Sequence, residues 1–187
     1  MRLSNLSYYS DFFISMALCA WMLAVVIAYR TWLEGAQWAA AAATGAAAWT
    51  LIEYAMHRWF YHDTPYIRDL HAAHHATPGA HIGAPPLIGI VLIFAVCYAP
   101  LVSTNSSVAS GFTTGMLLGY MAYMLVHHAS HYWNRPASSW LARARLHHAL
   151  HHYHSDACNF GITTAFWDHV FGTALVRKPR RLAPLPL

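Results

Sequence analysis

Histidine is the residue type in this chain that could do chemistry. There are 15 histidines against 7 carboxylates, and every one lies beyond Met56. Ten of them fall into four groups: His57 and His62; His71, His74 and His75; His127 and His131; His148, His151 and His152. Positions i, i+3 and i+4 of a helix share a face. The second and fourth groups can therefore each turn three imidazoles one way, and His127 and His131 stand one turn apart. His57 and His62, five residues apart, differ by about 140° on an α-helix; they either straddle a helix end or serve different metals. Ten imidazoles are more than one ion can take, so the pattern predicts a two-metal site. Imidazole suits Fe, Zn, Cu and Ni alike, which leaves the metal open at this point. His81, His128, His147, His154 and His169 duplicate or flank the pattern and are expected in supporting or surface positions.

Carboxylates play a minor part in this pattern. A carboxylate-bridged di-iron bundle uses Glu-x-x-His pairs, and the sequence has none. Neutral imidazoles leave a high positive charge on the metals, which suits binding a reduced oxygen species. Glu53, one turn before His57, is a candidate to orient that ring as a hydrogen-bond acceptor. Asp168 is a candidate for the same role toward another ligand.

The elements that must position these residues are membrane elements. Hydrophobic residues make up 57% of the 187 and charged residues 10%, against roughly 25% charged in soluble domains. Four stretches approach the ~20 apolar residues needed to span a bilayer: Phe12–Tyr29, Ala36–Ile52, Ala84–Val102 and Val108–Val126. Short connectors pair them into two helical hairpins, giving an all-α, four-span protein with a histidine-rich helical cap that holds the metals. No internal boundary is visible, so residues 1–187 read as a single domain. The second span is alanine-rich and suits a helix packed inside the bundle. The fourth carries Gly111, Gly115 and Gly119, a small-residue stripe that admits another helix closely. Of the 11 Lys and Arg residues only Arg30 falls in a loop on the far side. The positive-inside rule therefore puts both termini and all the histidines in the cytoplasm, in a multi-pass integral membrane protein. Trp140–Tyr153 reads as an interfacial helix with Arg143 and Arg145 toward headgroups and its histidines toward the metals. Basic charge here reflects topology and anionic lipid; no nucleic-acid partner is expected. Cys19, Cys97 and Cys158 show no paired spacing.

These motifs resemble the fatty acid hydroxylase (sterol desaturase) superfamily, most of all its fatty acid 2-hydroxylases. Glu53-Tyr54-x-x-His57-Arg58-Trp59-Phe60-Tyr61-His62 is similar to the first histidine box, and His71-x-x-His74-His75, with Pro85-Pro86 opening the next span, to the second. His127-x-x-x-His131 and His148-x-x-His151-His152-Tyr153 resemble the later boxes, and the segment from Asn159 to Thr173 the closing signature. The resemblance covers roughly Ile52 to Leu175. It implies a di-iron centre on the ten histidines, with zinc an occupant of purified protein, and O2 as co-substrate. It also implies a membrane lipid as substrate and supporting roles for Glu53, Asn159 and Asp168. Since Asp11 already stands at the threshold of the first span, the electron donor is expected to be a separate protein, cytochrome b5-like or ferredoxin-type.

The expected reaction is O2-dependent hydroxylation of a lipid C–H bond, most simply at the acyl carbon beside the headgroup. Desaturation, or oxidation of a sterol or carotenoid, is the alternative within the same chemistry. A metal transporter would place ligands at the bilayer midplane on broken helices. Here the first three spans contain no histidine and the fourth reaches one only past its end, which argues against transport.

Overall fold

The computed structural model describes residues 2–133 and 139–175, and among them the architecture is all-helical. The helices are α1 (Asn5–Tyr29), α2 (Trp32–Ala55), α3 (Ile67–Ala76), α4 (Ile88–Ile93), α5 (Ala99–Leu101), α6 (Ser106–Tyr132), α7 (Ser139–Tyr153) and α8 (Phe166–Val170). Two π-helical segments, Met56–Tyr61 and Phe94–Tyr98, continue α2 and α4. Arg135 and the tail Arg177–Arg181, on which part of the orientation argument rests, lie outside the described residues.

Local chemistry starts the long helices. The Ser4 hydroxyl accepts from the Ser7 N–H at 3.1 Å at the start of α1. Thr31 and Glu34 form a capping box on α2, and the Asn105 side chain accepts from the amides of Ser107 and Val108, both at 3.0 Å, on α6. Each cap satisfies N–H groups that the first turn would leave orphaned. Helix α6 continues past the expected end of the fourth span to Tyr132, carrying His127 and His131 with it.

Two of these helices, α1 and α6, are long and apolar enough to cross a membrane. The expected third span is broken and shorter. It begins at Ile88, just after a turn at Pro86 and the left-handed Leu87 (φ 68°). Pro100 has no N–H to give, and its ring crowds the carbonyl four residues earlier; the widened π-helical segment lies just ahead of it. Ile88–Leu101 together rise about 21 Å at 1.5 Å per residue.

Helices α2 and α6 form the spine, packed backbone against backbone. A Cβ at Gly115 would collide with the Ala42 carbonyl, and one at Gly45 with the Phe112 carbonyl. The glycine stripe of α6 thus meets the alanine-rich face of α2, the close approach that small residues permit. Beside this spine Cys19, Ile90, Ile93, Cys97, Met116 and Leu117 form the apolar core, with both cysteines free. Buried Asp11 ties the outer helices to it: its carboxylate accepts from the Leu87 N–H at 2.7 Å and from the Tyr120 hydroxyl at 2.9 Å.

The spine makes a direct prediction. Gly115→Leu should abolish recovery of monodisperse protein, since the side chain meets immovable backbone. Gly35→Ala, where a Cβ meets nothing within 4 Å, should leave yield and melting temperature within a few degrees of the parent. Equal recovery of both variants in size-exclusion chromatography would refute the assignment of the spine.

Candidate metal centre

Helix α3 packs against the π-helical segment that extends α2, and α7 packs against α6. This pairing sorts the ten histidines into two sets of five. One set is His57, His62, His71, His75 and His151; the other is His74, His127, His131, His148 and His152. Within each, one nitrogen per ring lies within 4.8 Å of all the others. Every residue named above as a candidate ligand belongs to one set or the other.

The distribution differs from a face-by-face reading. His71 and His75 join the first set while His74 between them joins the second; His148 and His152 join the second while His151 joins the first. Each His-x-x-His-His motif therefore bridges the centre, with its i, i+4 pair on one side and its i+3 ring on the other. The stacked rings of His75 and His152, 4.1 Å between centroids, mark where the sets meet. His57 and His62, expected to straddle a helix end or to divide between metals, lie in the same set with centroids 5.5 Å apart. The physical reason is the π-helix: i to i+5 hydrogen bonding brings residues five apart back to nearly the same side.

The protons fit the binding of cations. His57 Nδ1 lies 2.6 Å from the Phe160 carbonyl and His151 Nδ1 lies 2.7 Å from the Cys158 carbonyl. A carbonyl only accepts, so each Nδ1 carries the proton and each Nε2 turns a bare lone pair inward. In the first set the Nε2 atoms of His57 and His75 stand 3.1 and 3.0 Å from that of His71. In the second, His74–His127, His127–His131 and His131–His148 stand 3.0, 3.2 and 2.9 Å apart, Nε2 to Nε2. One ring proton cannot serve such a chain. His62 Nε2, His148 Nδ1, His151 Nε2 and both nitrogens of His152 are buried with no hydrogen-bond partner. Two nitrogens bound at right angles to one ion through ~2.1 Å bonds are about 3 Å apart. The residues present fit a metal ion in each set.

Burial keeps the rings in the form that binds metal. Desolvation, aided by the neighbouring imidazoles, pushes His74 down to about 3. Desolvation also takes His151 down to about 4, against the opposing pull of the Cys158 carbonyl. His62, His71, His75, His148 and His152 shift the same way, with burial the main cause.

The acids act at one remove. The Glu53 carboxylate accepts from the amides of Ile162 and Thr163 at 2.7 and 2.8 Å and from the Thr163 hydroxyl at 2.8 Å; it orients the loop rather than His57. Asp168, fully buried, accepts from the Phe160 and Gly161 amides, the Thr173 hydroxyl and the His147 ring, all at 2.7–2.9 Å. Burial alone would raise the Asp168 pKa. The His147 hydrogen bond, with the Gly161 amide and the other donors, more than offsets this and holds it below the usual carboxylate range. Asn159 takes the left-handed conformation that suits Asn (φ 57°). Its amide group donates to the His147 carbonyl at 3.2 Å and accepts from the Leu175 N–H at 2.8 Å. Loop 158–163, pinned by these three residues, delivers the two carbonyls that set His57 and His151.

Sequence reasoning missed those carbonyls, since a backbone acceptor has no letter of its own. It also missed Tyr123, which stacks parallel on His127 at 5.7 Å, with its hydroxyl facing that of Tyr61. The available signal was its place one turn before His127. Of the flanking histidines, His147 holds Asp168, His81 stacks on Tyr8, and His128 meets the Tyr8 hydroxyl at 3.2 Å. His154 and His169 are exposed.

Comparison with known proteins bears on the same region. The model of the fatty acid hydroxylase family matches residues 42–173. Schizosaccharomyces pombe ceramide very long chain fatty acid hydroxylase scs7 is 35% identical over 140 residues, 67% of this chain and 39% of that protein. Homo sapiens fatty acid 2-hydroxylase is 31% identical over 144 residues, 70% of this chain and 38% of that protein. The chain thus spans about two fifths of the length of these relatives. A solved structure of full-length scs7p, with only its hydroxylase domain visible, superposes with a TM-score of 0.72 at 22% identity, over 92% of this chain and 70% of that one. This likeness establishes a shared fold.

The buried rings give the metal-free protein a defined pH response. In an unfolded chain each histidine titrates near 6.5, while in the folded protein the cluster titrates far lower. The unfolded state therefore binds more protons as pH falls below about 6.5, and stability falls with it. The melting temperature of metal-stripped protein should be level above pH 7 and decline steadily from pH 6.5 toward 4. A level profile from pH 7 to 5 would contradict the burial of neutral rings.

Proposed function

Because this chain belongs to the fatty acid hydroxylase family, we propose that it is a membrane enzyme, a single-domain oxidoreductase that hydroxylates the acyl chain of a lipid near its headgroup. The observation that carries the reading is the pair of five-imidazole sets, all ten rings inside the matched region, with bare nitrogens converging. On this reading His57, His62, His71, His75 and His151 hold one iron, and His74, His127, His131, His148 and His152 the other. The iron pair, when bound, supplies the redox chemistry of RH + O2 + 2 e− + 2 H+ → ROH + H2O. The two electrons come from a separate donor protein, cytochrome b5-like or ferredoxin-type. Zinc can occupy the same nitrogens in purified protein.

The chain's own residues hold and shield this centre. Phe160 and Cys158 fix the ring tautomers of His57 and His151 through their carbonyls, and Glu53, Asn159 and Asp168 fix those carbonyls. Burial of His57, His148 and His151, each at most 3% exposed, excludes bulk water from the nitrogens. Four spans, α1, α2, the broken α4–α5 segment and α6, carry the site at the cytoplasmic face, with both termini on that side. Since α2 and α6 lead directly into ligand-bearing turns, the metals lie just beyond the bilayer, where the polar end of a lipid and its first acyl carbons are presented.

Mass spectrometry of total fatty acids from cells expressing the parent protein and His148→Ala tests the proposal. Loss of even an outer partner of a metal ligand costs 10–100-fold, so loss of the ligand should reduce product at least about 100-fold. A 2-hydroxy fatty acid made only by the parent is the expected result. No hydroxylated acyl species from iron-loaded parent protein with a donor present would overturn the reading and point to a sterol, carotenoid or other isoprenoid.

A further inference from the structure

Helix α8 has two faces with different tasks. Asp168 is fully buried on the inner one, holding the loop whose carbonyls set His57 and His151. On the other side Phe166 and Val170, one turn apart, are 58% and 53% exposed, and His169 between them is exposed as well. Phe171, next in the chain, is 44% exposed. Large apolar side chains on a short surface helix need a reason, and the height of this helix supplies one. The Trp167 ring N–H donates to the Thr50 hydroxyl at 2.9 Å, and Phe171 stacks on Tyr54 at 5.2 Å. Thr50 lies two residues inside the end of the second span, about 3 Å along the helix axis. Leu51 and Ile52 beside it are exposed as well. With the second span ending at Ile52, as the membrane reading has it, α8 lies level with the boundary between acyl chains and headgroups, the layer in which tryptophan concentrates.

We propose that α8 is a membrane foot: its Phe166 and Val170 face seats in the cytoplasmic headgroup layer, and Asp168 on its opposite face carries that seating to the metal centre. The inference rests on the membrane reading given above. Its occupant is the lipid surface, because α8 docks through Trp167 and Phe171 on Thr50 and Tyr54 of α2, next to exposed Leu51 and Ile52. Two consequences follow. The metal set containing His57 and His151 is fixed relative to the bilayer, since Phe160 and Gly161 hang from Asp168. Loosening the foot also loosens the loop, while α2 and α6, locked by glycine contacts, are unaffected.

The test uses full-length protein in phosphatidylcholine–phosphatidylglycerol vesicles. A photo-crosslinking benzoylphenylalanine is placed at Phe166 and, as reference, at Ile27 of the first span, which is 75% exposed; lipid adducts are read by mass spectrometry. Adducts at both positions support the foot. Adducts at Ile27 alone overturn it and leave the membrane reading standing; adducts at neither overturn both. The coupling is read by amide hydrogen exchange in the same vesicles with Phe166→Glu/Val170→Glu, which alters only exposed side chains. Exchange of the 160–163 amides should quicken at least about tenfold, with α2 and α6 amides unchanged. Unchanged exchange at 160–163 would overturn the coupling to the metal centre.

Discussion

Ten imidazole rings, four of them buried and six partly so, are gathered with nitrogens turned toward one another, and the rest of the cap answers to that constraint. An imidazole that is neutral and buried has one donor and one acceptor, and an unpartnered acceptor in the interior is costly. Here nitrogens face nitrogens at about 3 Å, which no arrangement of ring protons satisfies. A bound cation relieves the conflict in each set of five. Without one, the cluster is a reservoir of unfavourable energy that the surrounding packing must hold shut.

The surrounding packing is correspondingly rigid. Helices α2 and α6 touch through backbone, with glycine and alanine where side chains would otherwise keep them apart. Each leads without a break into ligands, α6 by extending to His131 and α2 by widening into the π-helical turn that presents His57 and His62. The partner helices α3 and α7 then each supply a pair to their own side and a single ring to the other. The result is an approximate exchange symmetry between the α2–α3 and α6–α7 halves: two pairs from one half plus one ring from the other complete each set. Crossing the rings in this way ties the halves together, because neither set can form from one half alone.

The carboxylates of Glu53 and Asp168 stand outside both histidine sets and organise backbone. Glu53 and Asp168 are deeply buried and between them accept seven hydrogen bonds, nearly all from loop 160–163 and its neighbours. Neither acid belongs to either histidine set, and the loop carbonyls set the ring tautomers of His57 and His151. The two acids buried beside the histidines thus act on geometry.

The sequence by itself determined the inventory of candidate ligands, the helical character and the apolar segments, because residue type and the 3.6-residue period are local properties. From His127-x-x-x-His131 one could read a pair on one face of a helix, and from Gly111, Gly115 and Gly119 a face built for close approach. Only the tertiary structure decided which rings share a set. Periodicity gives the direction in which His71, His74 and His75 point, yet their division between two sets depends on where α7 crosses. The joining of His57 to His62 depended on a π-helical turn, which a five-residue spacing read at α-helical pitch places on different sides. The true partners of Glu53 and Asp168 were amides more than 100 residues away in one case and across a tight loop in the other. Backbone donors and acceptors are the same at every position but proline, so which of them a buried side chain meets is a property of the fold.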